Sequence, residues 1–262
     1  AGKDISYRLV HTGQHYDKNM SGTFFEELNI PMPDVNLEAG GGSQAEQTAA
    51  IMVAFEKELI ANPSDLIVVV GDVTSTMACS IVAKKLNTRV AHIEAGIRSW
   101  DLTMPEEINR MVTDSITDYF FTTSEIANTN LRNAGISDDR IFFVGNVMID
   151  TLLANIDRFR KPDFYDSLQL EEGKYLVLTM HRPANVDEAS KLKRTMDEIL
   201  NNTHGLPVIF PIHPRTAKIF RELGIESPML KIVDPLGYLE FIYLVRHCKA
   251  VVTGSGGITE ET

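Results

Sequence analysis

Short apolar runs alternate with stretches of helical spacing along most of this chain. Leu66-Ile67-Val68-Val69-Val70 is continuous and β-branched, which predicts a strand covered on both faces. Gly71-Asp72 ends it, and Thr74-Ser75 offers a helix cap before Met77, Ala78, Ile81, Val82 and Lys85 recur at helical spacing. Residues 89–93 read as the next strand, with Glu94 leaving its carboxyl end. Upstream, residues 5–11 alternate as a strand, Ser21 can cap a short helix that Pro31 and Pro33 break, and residues 43–62 read as a long amphipathic helix. Downstream, Pro105 suits a first helical position with Glu106 and Glu107 in the acidic first turn, and that helix runs through Met111, Val112 and Ile116. Residues 119–122 read as a strand, Ser124 caps a helix that Gly135 ends, 141–144 form a strand, and Asn146 opens a helix to Leu153.

After 158–168, a stretch of alternating charge with Pro162 that suits a linker, the rhythm restarts. Strands are expected at 175–180, 207–211, 230–233 and 250–253, with helices at 188–200, 217–223 and 238–245 between them. Strands alternating with helices imply parallel, doubly wound sheets. The expected organisation is two Rossmann-like domains, 1–160 and 161–262, with a cleft between them. The chain starts at Ala1 without Met and stops at Thr262 inside a helix's first turn, so it is expected to be truncated at both ends.

Composition narrows the functional classes. A chain of 262 residues, 44% hydrophobic and 23% charged, is ordinary for a soluble protein. The net charge of −11 argues against a general binder of nucleic-acid backbones, so an anionic ligand needs a local nest of donors. No apolar run approaches the ~20 residues of a membrane span, and no signal segment opens the chain. A cytoplasmic protein with no nucleic-acid and no membrane partner is expected. Cys79 and Cys248, far apart and in apolar stretches, read as reduced core residues.

The candidate chemistry sits at strand ends, where open α/β sheets bind ligands. Asp72 and Glu94 end neighbouring strands and Glu106 opens a helix; crowded carboxylates raise one another's pKa, which lets a site keep an acid and a base at neutral pH. Solvated loop charges and an oxygen-rich metal site are the alternatives, though His and Cys do not cluster with these acids, and no metal and no cofactor is expected. His181-Arg182 follows one strand of the second half and His213 another, where a structural histidine is the bland reading. Ser255-Gly256-Gly257 opens a helix whose N–H groups can hold phosphate oxygens; otherwise it is a tight turn. Gly40-Gly41-Gly42 lacks the strand and helix of a dinucleotide fingerprint.

Taken in order, Gly71-Asp72 with Thr74-Ser75-Thr76, His92 to Arg98, Pro105 to Arg110, Gly145-Asn146 with Asp150, Thr179-Met180-His181-Arg182, and Ser255-Gly256-Gly257 through Glu260-Glu261 resemble the bacterial non-hydrolysing UDP-N-acetylglucosamine 2-epimerases. The resemblance covers nearly the whole chain. It implies the GT-B fold, two Rossmann-like domains around a nucleotide-sugar cleft, a homodimer, and a place in cell-surface polysaccharide biosynthesis. It implies an isomerase that interconverts UDP-GlcNAc and UDP-ManNAc by anti elimination of UDP to 2-acetamidoglucal and re-addition. By resemblance, Asp72, Glu94, Glu106 and His181 are catalytic, while Arg110, His213, Phe241, Ser255, Gly256, Gly257 and Glu261 bind or frame UDP. The chain departs from the family at Val73, often Thr, and at Ala184, often Glu; the glycine-rich turn with Arg and Lys expected near the N-terminus is absent. Ala184 leaves room for a related substrate such as UDP-2,3-diacetamido-glucuronic acid. A GT-B glycosyltransferase and a non-catalytic nucleotide-sugar-binding protein are the competing classes.

Overall fold

The structure is a computed structural model that describes residues 5–13, 25–180, 189–212, 217–218, 220, 222–255 and 258. Two compact units divide the chain: residues 1–21 with 31–147, and residues 22–30 with 148–262.

The first unit begins with a two-stranded parallel pair, β1 (Val10–His11) and β2 (Val35–Asn36). Helix α1 (Gln44–Ala61) follows, closed by a capping box in which Ser43 Oγ accepts from the Glu46 N–H and Glu46 accepts from the Ser43 N–H. Then come β3 (Leu66–Val70), α2 (Thr74–Lys85), β4 (Arg89–Ile93), α3 (Pro105–Ile116), β5 (Tyr119–Thr122), α4 (Glu125–Asn133) and β6 (Ile141–Phe143). The main sheet runs β3-β4-β5-β6, all parallel, with Val69 opposite His92 and Val70 opposite Ile93. Ile51, Phe55 and Leu59 of α1 and Ala78, Cys79 and Val82 of α2 bury one apolar core with Val69 and Val90. Burial in that core pushes the Cys79 thiol up to about 12, so it is a packing group and not a nucleophile.

Helix α5 (Val147–Ala154) leads into the second unit, where α6 (Phe164–Ser167), β7 (Leu176–Thr179), α7 (Ala189–Asn201), β8 (Val208–Pro211), β9 (Leu230–Val233), α8 (Tyr238–His247) and β10 (Ala250–Thr253) follow. Its sheet is also parallel, in the order β10-β7-β8-β9. Leu178, Met196, Val208, Phe210 and Phe220 form one core of this unit, and Tyr165, Tyr175, Val177, Ile209 and Leu244 another. A short helical piece at 25–27 also belongs to this unit. Its Glu27 carboxylate accepts from the Leu239 N–H at the start of α8 (3.3 Å) and pairs with Arg160 (3.2 Å), which also holds Glu240. A Cβ on Gly237 would collide with that carboxylate, so the helix is capped by a residue 212 positions away.

Several expectations from the pattern change. The strand over 5–11 shrinks to Val10–His11. The N-cap of α2 is Val73, not Thr74 or Ser75: extended backbone falls at Val73 (φ −74°, ψ 164°), and the Thr76 hydroxyl instead donates back to the Val70 carbonyl. Strand β3 is covered on one face only, with Val68 and Val70 about half exposed (55% and 49%). Among the described residues its outer side and residues 5–10 line a cavity of about 790 Å³. Helix α3 turns a polar side inward: Glu107, Asn109, Thr113 and Asp114 are buried while Ile108 and Met111 are exposed. No helix among the described residues is long and apolar enough to cross a membrane.

Candidate active site

The carboxyl ends of β3 and β4 meet the N-terminal turns of α3. Gly71 leaves β3 with φ +69°, its N–H donating to the Ile93 carbonyl of the neighbouring strand (3.0 Å). Two residues past the register pair of His92 and Val69, Glu94 also has positive φ, at +68°. A non-glycine residue held there stores strain, which concentrates at functional sites. A Cβ built on Gly71 would stand 3.7 Å from Glu94 Oε2, so the Glu94 carboxylate lies over the Gly71-Asp72 turn.

Asp72 is gripped from α3. Asn109 Nδ2 donates to its backbone carbonyl (2.8 Å), and Arg110 Nη2 donates to its carboxylate. Glu106 stands three and four positions before these residues, on the same side of α3 and exposed. Asp72 and Glu94 thus follow the ends of neighbouring strands, and Glu106 lies on the helix whose Asn109 and Arg110 hold Asp72.

Arg110 is committed on both flanks, since Nη1 also donates to Glu107 Oε2 (2.8 Å). Glu107 is fully buried and accepts from the Ser99 N–H (2.9 Å), the Ser99 hydroxyl (3.1 Å) and the Trp100 N–H (3.1 Å). Burial works to raise the Glu107 pKa, but the bonds from Ser99, Arg110 and Trp100 outweigh it and hold the carboxyl below its usual 4.5. Because the folded value is depressed, the unfolded chain takes up this proton first; the stabilisation is complete above about pH 5 and is lost as pH falls through the lowered folded value. Urea titrations between about pH 5 and pH 3 are expected to show wild-type stability falling more steeply than that of Glu107→Gln, and parallel curves would refute the assignment.

Gly96 closes the loop after Glu94 with φ +79°, its N–H donating to Asp114 (3.1 Å) and its carbonyl accepting from Asn130 (2.9 Å). A Cβ there would approach the Ala127 carbonyl oxygen to 2.5 Å, and backbone cannot yield as a flexible side chain does. Gly96→Ala is expected to cost roughly 2–3 kcal/mol in chemical denaturation, and a loss below about 0.5 kcal/mol would show that the loop relaxes freely.

In the second unit, a cavity of about 430 Å³ lies beyond β8 and β9, bordered by Ile212, Ile232, Asp234 and Leu236 with Phe164 and Ala217. Phe241 on α8 is half-buried against the Tyr165–Tyr175 core. The Ser255 N–H donates to Thr253 Oγ1 (2.9 Å). His181, His213, Gly256, Gly257 and Glu261 lie outside the described residues. Among the described residues no three His, Cys, Asp or Glu side chains are grouped to hold a metal ion. The pattern reading passed over Glu107, Asn109, His92 and Asp114; the available signal was a run of polar residues at helical spacing, 107, 110 and 114, on a helix covering a sheet.

Two parallel α/β units of this kind place the chain in the GT-B fold class. The sequence matches the family described as UDP-N-acetylglucosamine 2-epimerase over residues 1–262, and the chain belongs to that family. A UDP-N-acetylglucosamine 2-epimerase of Methanocaldococcus jannaschii is 41% identical over 269 residues, covering 98% of this chain and 73% of the relative. The UDP-2,3-diacetamido-2,3-dideoxy-D-glucuronate 2-epimerase of Pseudomonas aeruginosa is 38% identical over 262 residues, with 98% and 72% covered. A crystal structure of the Methanocaldococcus jannaschii enzyme in complex with UDP-GlcNAc and UDP superposes with a TM-score of 0.86 at 41% identity, covering 99% of this chain and 74% of that one. Archaeal and bacterial proteins both appear among these relatives, so membership is not confined to bacteria.

Proposed function

We propose that this protein is a non-hydrolysing UDP-N-acetylglucosamine 2-epimerase, acting by elimination and re-addition of UDP. The observation that carries it is that Asp72 and Glu94 follow the ends of neighbouring strands, with Glu106 on the helix that holds Asp72, in a chain of this family. In the first step a carboxylate takes the C2 proton, the C1–O bond breaks, and UDP leaves with the bonding electron pair, giving 2-acetamidoglucal. In the second, a carboxylic acid returns a proton to the opposite face of C2 and UDP re-adds at C1. Asp72, Glu94 and Glu106 are the proposed proton-transfer groups. His181 is proposed to stabilise charge at the leaving diphosphate, and Ser255, Gly256, Gly257, His213, Phe241 and Glu261 to hold the UDP moiety. The Arg110 guanidinium, held between Asp72 and Glu107, is proposed to serve the UDP end of the site by aiming the Asp72 carboxylate. The protein is proposed to work as a cytoplasmic homodimer.

Incubation with UDP-N-acetylglucosamine in heavy water tests this reading. Deuterium at C2 and UDP-N-acetylmannosamine are the expected products. Unlabelled sugar transferred to an acceptor would indicate a glycosyltransferase, and bound but unchanged substrate a binding protein. The Ala184 position and the 38% identical relative favour including the diacetamido-uronic sugar as a parallel substrate. Faster exchange on that sugar would reassign the substrate while keeping the chemistry.

A further inference from the structure

We infer that His92 is a positioning residue for this reaction: through a buried pair with Asp114 it locks the turn that carries Asp72 against the turn that carries Glu94. The inference rests on the epimerase reading above.

His92 is fully buried in the middle of the sheet, yet both its ring nitrogens are engaged. Nε2 lies 2.8 Å from the Gly71 carbonyl oxygen, and a carbonyl only accepts, so Nε2 carries a hydrogen. Nδ1 lies 2.7 Å from Asp114 Oδ1, within hydrogen-bond distance. The other Asp114 oxygen accepts from the Gly96 N–H (3.1 Å) and from Arg98 Nη1 (2.7 Å). One connected group therefore spans Gly71 before Asp72 and Gly96 after Glu94.

A sheet interior does not need such a group. Position 92 sits opposite Val69 and Phe120 of the flanking strands, and a histidine buried there carries a desolvation cost that its partners must offset. Buried polar networks define one arrangement when fully satisfied, and here every member has a partner. What they define is the relative placement of two carboxylates, one on Glu94 at positive φ and the other on Asp72, which follows Gly71 at positive φ. Proton transfer is sensitive to such placement, with a shift of about 1 Å costing on the order of 10²-fold.

The test compares His92→Asn with His92→Gln in the whole protein. The Asn amide stays within reach of Asp114 but falls short of Gly71, whereas the longer Gln amide extends to where Nε2 stands. His92→Asn is expected to lose roughly 10–100-fold in kcat with KM within about 3-fold, and His92→Gln to recover about 10-fold of that at an equal thermal midpoint. Asp114→Asn, nearly isosteric, is expected to lose about 10-fold in kcat with KM held, and decides the matter by the same measures if His92→Asn does not fold. Equal kcat for the two His92 variants, or kcat falling only as the folded fraction falls, would overturn the role of His92. A wild-type protein that installs no deuterium at C2 would overturn the epimerase reading and this inference with it.

Discussion

Glu94→Gln is expected to lower epimerase turnover by roughly 10²–10⁴-fold while UDP still binds. The amide keeps the shape of the side chain and removes its ability to take or return a proton. The backbone supplies the reason for expecting so large an effect. Glu94 is held at φ +68°, where a side chain of its kind sits at a cost of about 1–3 kcal/mol, and its carboxylate is thereby laid over Gly71. Strain of that size persists only where surrounding contacts impose it, and Gly71 and Gly96 on either side are both fixed by hydrogen bonds. Glu106→Gln is expected to fall in the same range, measured as C2 deuterium incorporation. Near-normal turnover in either variant would remove that residue from proton transfer.

The second large effect belongs to a residue that touches no substrate. Glu107→Ala is expected to destabilise the protein by about 3–5 kcal/mol, the usual cost of deleting one partner from a buried charged network. Arg110 would be left with Asp72 alone, and the Ser99 and Trp100 N–H groups would lose their acceptor. Thermal unfolding is the measurement, with a midpoint lowered by roughly 10 °C. A shift of about 1 °C or less would mean that water replaces the carboxylate without penalty. Activity should fall further than stability, because Arg110 freed from Glu107 no longer holds the Asp72 carboxylate in one place.

Much of the architecture was legible in the amino-acid pattern. Leu66–Val70, Arg89–Ile93, Tyr119–Thr122, Leu230–Val233 and Ala250–Thr253 are the strands that the apolar runs predict, and Ser43, Pro105 and Ser124 open helices where capping chemistry places them. Helix α3 stands where Pro105 places it, but apolar periodicity says nothing of its inward side. Its buried polar residues are Glu107, Asn109, Thr113 and Asp114, and the partners of Glu107, Asn109 and Asp114 come from loops and strands up to 37 residues away and leave no local trace. The strand β2 at Val35–Asn36 was hidden for a similar reason, since its two residues follow Pro31 and Pro33 and are defined only by pairing with Val10 and His11. For the site, the strand-end rule singled out Asp72 and Glu94 from type and location. The group behind them, His92 with Asp114 and Arg98, is scattered over 23 positions counting from 92 to 114 and becomes a unit only through folding.

Glu27 sets a limit on how this protein can be divided. The chain enters its second half early, leaves it, and returns more than a hundred residues later, so neither half is a single stretch of sequence. A gene split at 147/148 would hand the downstream piece an α8 whose first turn has lost its acid, along with an Arg160 stripped of one of its two carboxylates. The downstream fragment would therefore depend on the upstream one, which carries a part of its fold.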